Sequence, residues 1–129
     1  MIMLKSTKDK FTLAAAGDLI CLGRLSIYDD PGFLSVIKIL READVASASL
    51  ETMIHDYEGY PAAEPGGTWM RAPPFVADEI KWAGIDLLSC AQNHVCDFSY
   101  GGLFATMKVL DQAGIVYAGI GRNLAEARA

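Results

Sequence analysis

The chain has 129 residues, 52% of them hydrophobic and 21% charged, with a formal net charge of -5 from 11 Lys and Arg against 16 Asp and Glu. A chain of that size and apolar content can offset its conformational entropy by burial, which excludes an intrinsically disordered protein. The acidic balance excludes a nucleic-acid surface, because phosphate contacts need clustered Lys and Arg, whereas a small phosphate-bearing substrate stays open, since a bound cation can supply the positive charge.

Lys5, Lys8 and Lys10 precede the apolar run from Phe11 to Ala16, which Gly17 and Asp18 stop. The run is too short for a secretory core or a membrane span, so the expectation is no export signal, no membrane anchor and a cytoplasmic location. Three cysteines, Cys21, Cys90 and Cys96, are an odd number and agree with a reducing compartment. Phe11 to Ala16 is expected to be a strand buried on both faces.

Asp30 caps a helix and Pro31 opens it, with Phe33, Val36, Ile37 and Leu40 on its apolar face. Arg41, Glu42 and Asp44 end that helix, and Val45 to Leu50 is a second strand. Thr52 to Ala72 is a long loop of Gly, Pro, acidic and aromatic residues, a kind of segment that tends to carry function. Pro73 and Pro74 start a second helix, with Val76, Ile80 and Ala83 facing the core and Gly84 stopping it. Ile85 to Ala91 is the third strand. Ser99 is expected to cap a helix whose Leu103, Met107 and Leu110 face the core and which Gly114 closes. Ile115 to Ala118 is a fourth strand, and Asn123 caps a last helix beginning at Leu124.

Strict alternation of strand and helix implies right-handed crossovers and an α/β fold with a mostly parallel sheet. In such a sheet ligands bind outside the carboxyl ends of the strands. The first three strands end in Asp18, in Glu51, and in the pair Asn93 and His94. If these strands are neighbours, two carboxylates, an amide oxygen and an imidazole share one edge. That set suits a hard or borderline divalent metal such as Mn, Mg, Fe or Zn.

Each residue also has a plain structural role open to it. An Asp after Gly is often a turn former, a Glu at a strand end is usually solvated, and Asn-His commonly satisfies local backbone groups. Their shared position after three successive strands is what favours a site. His55 is a further ligand candidate, but an exposed loop histidine is the better expectation. Arg71 lies before the second helix, where it could meet a substrate anion. Cys96 reads as a small buried filler, Trp69 and Trp82 as packing residues, and Gly119-Ile120-Gly121 is too weak for a nucleotide loop.

The same residues carry a specific likeness. Ala16-Gly17-Asp18, Ala43-Asp44 through Ser49-Leu50-Glu51-Thr52, and Ala83-Gly84-Ile85-Asp86 through Gln92-Asn93-His94 and Asp97 follow one another in order. Gly102-Leu103, Thr106, Leu110, Ala113-Gly114-Ile115 and Gly119 through Asn123, Glu126 and Ala127 complete the pattern. The chain resembles the CapA family of bacterial capsule (poly-gamma-glutamate) synthesis proteins, within the calcineurin-like metallophosphatase superfamily.

The resemblance implies the N-terminal half of a metallophosphatase-like α/β/β/α sandwich and a metal-dependent, phosphoesterase-like hydrolase with two divalent ions. Asp18, Glu51 and Asn93 would be metal ligands. His94 would serve the leaving group or a substrate oxyanion, and Asp97 would orient His94 or pin its loop. A small-molecule or polymer substrate and a cell-envelope role would follow. Ser49 stands where the family has Asn, Gln92 replaces the first Asn of a pair, and Ser99 replaces Gly. The family's later histidine motif is not among these residues, so the chain is expected to be the front part of a single larger domain. The alternative function is a non-enzymatic binding or assembly component that retains the fold. As an isolated piece, the chain would be expected to self-associate through its uncovered apolar faces.

Overall fold

The computed structural model describes residues 10–128; Lys5, Lys8 and Ala129 lie outside them. In chain order the elements are β1 (Leu13–Leu19), α1 (Pro31–Glu42), β2 (Val45–Leu50), β3 (Met53–Ile54), β4 (Arg71–Ala72), α2 (Val76–Ala83), β5 (Leu87–Ser89), α3 (Ser99–Ala113), β6 (Val116–Ala118) and α4 (Leu124–Ala127). Four strands form one sheet in the order β1-β2-β5-β6, with each neighbouring pair parallel. The fold is therefore α/β, with a parallel sheet and alternating helices.

β2 shows how the layers arise. Ala46, Ala48 and Leu50 are buried, while Val45, Ser47 and Ser49 between them are only partly covered. Side chains alternate across a strand, so the first set faces the helices and the second faces the open side of the sheet. Ile37 of α1, Ile80 of α2 and Leu110 of α3 join Ala48, Leu50 and Leu88 in one core. On the other side, Ser47, Leu87, Ser89, Val116 and Ala118 line a shallow depression of about 630 Å³.

The helix signals act as expected at most ends. The Asp30 side chain accepts a hydrogen bond from the Phe33 N–H at 2.9 Å, with Pro31 in the first turn. Gly84 and Gly114 close α2 and α3 in the left-handed conformation, at φ 90° and 67°. Asn123 caps α4 through bonds from the Ala125 and Glu126 N–H groups.

Several expectations need correction. The first strand runs from Leu13 to Leu19 and is exposed along most of its length instead of buried on both faces. Among the described residues it is an edge strand, paired with β2 alone, and the core reaches it at Leu19. Asp18 thus lies inside the strand, after a register shift between Ala15 and Asp18. In α1, Val36 is 54% exposed, because the buried face centres on Ile37 and Val36 lies 100° around the helix from it.

The third strand is shorter than its apolar run, covering Leu87–Ser89, the three positions that pair with both β2 and β6. Pro73 and Pro74 form a turn before α2, their carbonyls accepting from the Val76 and Ala77 N–H groups. Ser99 does not cap α3 but is its first residue. The long loop is not irregular throughout: Met53 and Ile54 pair in parallel with Arg71 and Ala72, which supplies partners for a buried stretch of backbone. Among the described residues, no helix is long and apolar enough to cross a membrane.

Candidate functional site

Sheet register brings the candidate residues to one edge. Asp18 stands opposite Ser49, Ser49 opposite Ser89, and Ser89 opposite Ala118. Partners in a parallel sheet share a face, so this row crosses the open side at the carboxyl ends of the strands. Glu51 follows one residue after β2 ends, its N–H donating to the Leu19 carbonyl. The Ser49 hydroxyl donates to Glu51 Oε1 at 3.3 Å, which keeps that carboxylate on the same side as Ser49. Asp18 is exposed and Glu51 half-buried.

The turn after β5 supplies the rest. The Gln92 side-chain oxygen accepts the His94 N–H and fixes the turn. His94 is 8% exposed and Asp97 1%. Asp97 Oδ2 lies 2.8 Å from His94 Nδ1. A carboxylate can only accept, so the ring carries hydrogen on Nδ1, and in the neutral ring Nε2 is the nitrogen with the lone pair.

Asp97 is also the anchor of the long loop. It accepts the Gly66 N–H at 3.0 Å through Oδ1 and the Met70 N–H at 2.8 Å through Oδ2. Its own carbonyl accepts the Ala62 N–H at 2.8 Å. Asn93 is exposed, and its Nδ2 donates to the Gly66 carbonyl at 2.5 Å. A carbonyl admits only the NH2 end of an amide, so Asn93 Oδ1 is left available.

The structure brings these residues together as two groups: Asp18 with Ser49 and Glu51, and Asn93 with His94 and Asp97. No hydrogen bond or ion pair among the described residues joins one group to the other. Two carboxylates, an amide oxygen and a bare imidazole nitrogen are the right kind of donors for a divalent cation. Among the described residues, however, no three His, Cys, Asp or Glu converge on one point.

Arg71, on β4, is engaged with the loop itself. Its Nη1 donates to the His55 carbonyl at 2.7 Å, lies 3.8 Å from Asp56, and its guanidinium stacks 3.9 Å from the centre of the Tyr57 ring. His55 is fully buried, which corrects the expectation of an exposed loop histidine. Its ring stands edge-on to Phe98 at 4.7 Å, and neither ring nitrogen has a hydrogen-bond partner among the described residues. Burial holds its pKa below the ordinary histidine value, against a smaller pull from Glu58.

Cys96 is exposed, which overturns the buried-filler expectation. Trp82 packs against the core, whereas Trp69 is half exposed and braces the loop by donating from Nε1 to the Ala62 carbonyl. Sequence reasoning missed Gln92 as the support of the His94 backbone and missed Gly66 altogether. The one available signal was the Gly66-Gly67 pair inside a long loop, a composition that allows close backbone approach.

The sequence profile of a family described as bacterial capsule synthesis protein PGA_cap matches residues 12–129. Two uncharacterized proteins of Sinorhizobium fredii are each 36% identical over 124 residues, covering 94% of this chain and 27% of theirs. The capsule biosynthesis protein CapA of Bacillus anthracis is 27% identical over 128 residues, covering 93% of this chain and 31% of its own length. The chain thus spans less than a third of the length of these curated relatives.

Proposed function

The chain belongs to the PGA_cap family of bacterial capsule synthesis proteins, and from that membership we propose that its sheet edge is part of a metal-dependent, phosphoesterase-like hydrolase centre. The observation that carries this reading is His94: its Nδ1 is committed to Asp97, which leaves Nε2 as the working nitrogen, and the amide of the adjacent Asn93 is turned by Gly66 so that Oδ1 is available. A histidine held in one tautomer by a buried carboxylate is equipped to move a proton at the other nitrogen.

In this reading Asp18, Glu51 and Asn93 Oδ1 would hold one or two divalent ions (Mn, Fe, Zn or Mg), which would supply Lewis-acid polarisation of a phosphoryl or related oxygen. His94 Nε2 would take a proton from the attacking water and deliver it to the leaving group, with Asp97 stabilising the imidazolium between the two transfers. The substrate is a small molecule or a polymer of capsule or poly-gamma-glutamate biosynthesis.

The test is a screen of the intact protein with Mn²⁺ against phosphomonoesters and phosphodiesters, with Asp18→Ala and His94→Ala in parallel. The expected result is metal-dependent turnover lost in both variants, with weaker metal binding in Asp18→Ala and retained metal binding in His94→Ala. Stoichiometric metal binding without turnover of any substrate would instead support a non-enzymatic binding or assembly component. One observation favours that second reading: Ser49 replaces the Asn that the family resemblance expects, and its hydroxyl is engaged with Glu51.

A further inference from the structure

We infer that Gly66 is the positioning residue of this site, setting the amide of Asn93 and the carboxylate of Asp97 through its two backbone groups, and the tautomer of His94 through Asp97. The inference rests on the hydrolase reading for its purpose, but not for its geometry. Gly66 C=O accepts from Asn93 Nδ2 at 2.5 Å, and Gly66 N–H donates to Asp97 Oδ1 at 3.0 Å. One residue of the long loop therefore touches both halves of the turn that follows β5.

Each bond removes a choice. Asn93 is exposed, and water would accept either orientation of its amide; the Gly66 carbonyl accepts one and leaves Oδ1 outward. The Asp97 carboxylate is buried, and two backbone N–H groups of the loop, from Gly66 and Met70, prevent it from rotating. That fixed carboxylate is what selects the hydrogen on His94 Nδ1.

The approach is available only to glycine. A Cβ on residue 66 would lie 2.4 Å from the Asn93 carbonyl oxygen, 2.6 Å from its carbon and 2.9 Å from Nδ2. Two of those atoms are backbone and cannot swing aside. The loop must reach the turn as bare backbone or withdraw from both Asn93 and Asp97.

The experiment is a long-range ¹H–¹⁵N imidazole spectrum of the intact protein, ¹⁵N-labelled at histidine, recorded without added metal, with His94 assigned from His94→Gln. Wild-type His94 is expected to show a protonated Nδ1 and an unprotonated Nε2. In Gly66→Ala, with the fold checked by circular dichroism, the two nitrogen shifts are expected to move towards each other as the tautomers mix. If Gly66→Ala does not fold, Asp97→Asn decides, because it alters the acceptor that links the Gly66 N–H to His94 Nδ1: the two His94 shifts are expected to converge and the Gly66 amide to exchange faster. His94 shifts unchanged from wild type in the deciding variant would overturn the inference. The readout needs neither metal nor substrate, so absence of hydrolysis would count against the proposed function alone.

Discussion

His94 Nδ1 and Asp97 Oδ2 face each other at 2.8 Å in a buried turn, and the same carboxylate holds two N–H groups of a loop some 30 residues earlier in the chain. Orientation of the imidazole and closure of the loop are therefore one event. Asp97→Asn keeps the shape but puts a donor on one arm, where His94 Nδ1–H or a loop N–H now points. In the Mn²⁺-supplemented assay of the intact protein, a loss of about 10–100-fold in activity is expected, the range seen when partners behind a site's working groups are removed. Turnover equal to wild type would separate Asp97 from the site.

Glu79 is a buried carboxylate on α2 that organises the segment after β1. It accepts the Leu25 and Ser26 N–H groups at 3.0 and 2.8 Å and the Ser26 hydroxyl at 3.1 Å, and pairs with Arg24 at 3.3 Å. Glu79→Ala is expected to destabilise by about 2 kcal/mol, since two backbone donors lose a charged acceptor. The urea midpoint measures the loss, and faster amide exchange at Leu25 and Ser26 locates it.

The bond from the Ser26 N–H leads the causes that hold the Glu79 carboxyl below its ordinary range. The associated stability is present above the unfolded value near 4.5 and is lost as pH falls through the lower folded value. Comparing wild type with Glu79→Gln should show the gap between their stabilities narrowing below pH 4.5. A gap constant across that range would contradict it.

His55 gives a pH dependence in a higher window. Burial depresses its pKa below 6.5, so the unfolded chain binds more protons than the folded one once the pH drops under that value. Its contribution to stability is full above pH 6.5 and declines as the pH falls towards the folded value. Glu58 at 3.8 Å, Asp56 and Arg71 are the charged groups acting on it, and Phe98, just before α3, and Gly102 of α3 lie against its ring. In His55→Leu the slope of stability against pH just below 6.5 should flatten, whatever the offset in absolute stability.

Ser99 occupies the left-handed region at φ 57°, where a Cβ is strained. Its hydroxyl donates to the Phe98 carbonyl at 2.6 Å and accepts the Tyr60 N–H at 3.3 Å. Ser99→Gly and Ser99→Ala lose these bonds equally, so their difference reports the backbone alone. Ser99→Gly should be the more stable of the two by about 1 kcal/mol in thermal unfolding. The reverse order would show that this turn relaxes when the hydroxyl is removed.

Much of this architecture is written locally. The caps at Asp30 and Asn123 and the stops at Gly84 and Gly114 act through bonds spanning a few residues, so their signals survive without tertiary information. The placing of Asp18, Glu51 and Asn93-His94 at or beyond the carboxyl ends of successive strands was legible for a related reason. Right-handed crossovers turn chain order into neighbouring strand ends, and the observed order β1-β2-β5 is of that kind.

Other features depended on what lies across from a residue. Apolar composition at Phe11–Ala16 predicts burial, yet an edge strand is buried only where another layer reaches it. His55 and Cys96 were assigned the wrong exposure because both sit in loops, whose solvent contact depends on the surface beneath. The chain alone determined the main helices and the strands of the parallel sheet, and which chemistry-bearing residues come near its edge, because period, capping and handedness are short-range properties; the small β3–β4 pair was not among them. Only the tertiary structure decided that a glycine 27 residues upstream would fix the amide of Asn93. That contact comes from the close approach of two loop backbones, and no side-chain pattern records where backbones meet.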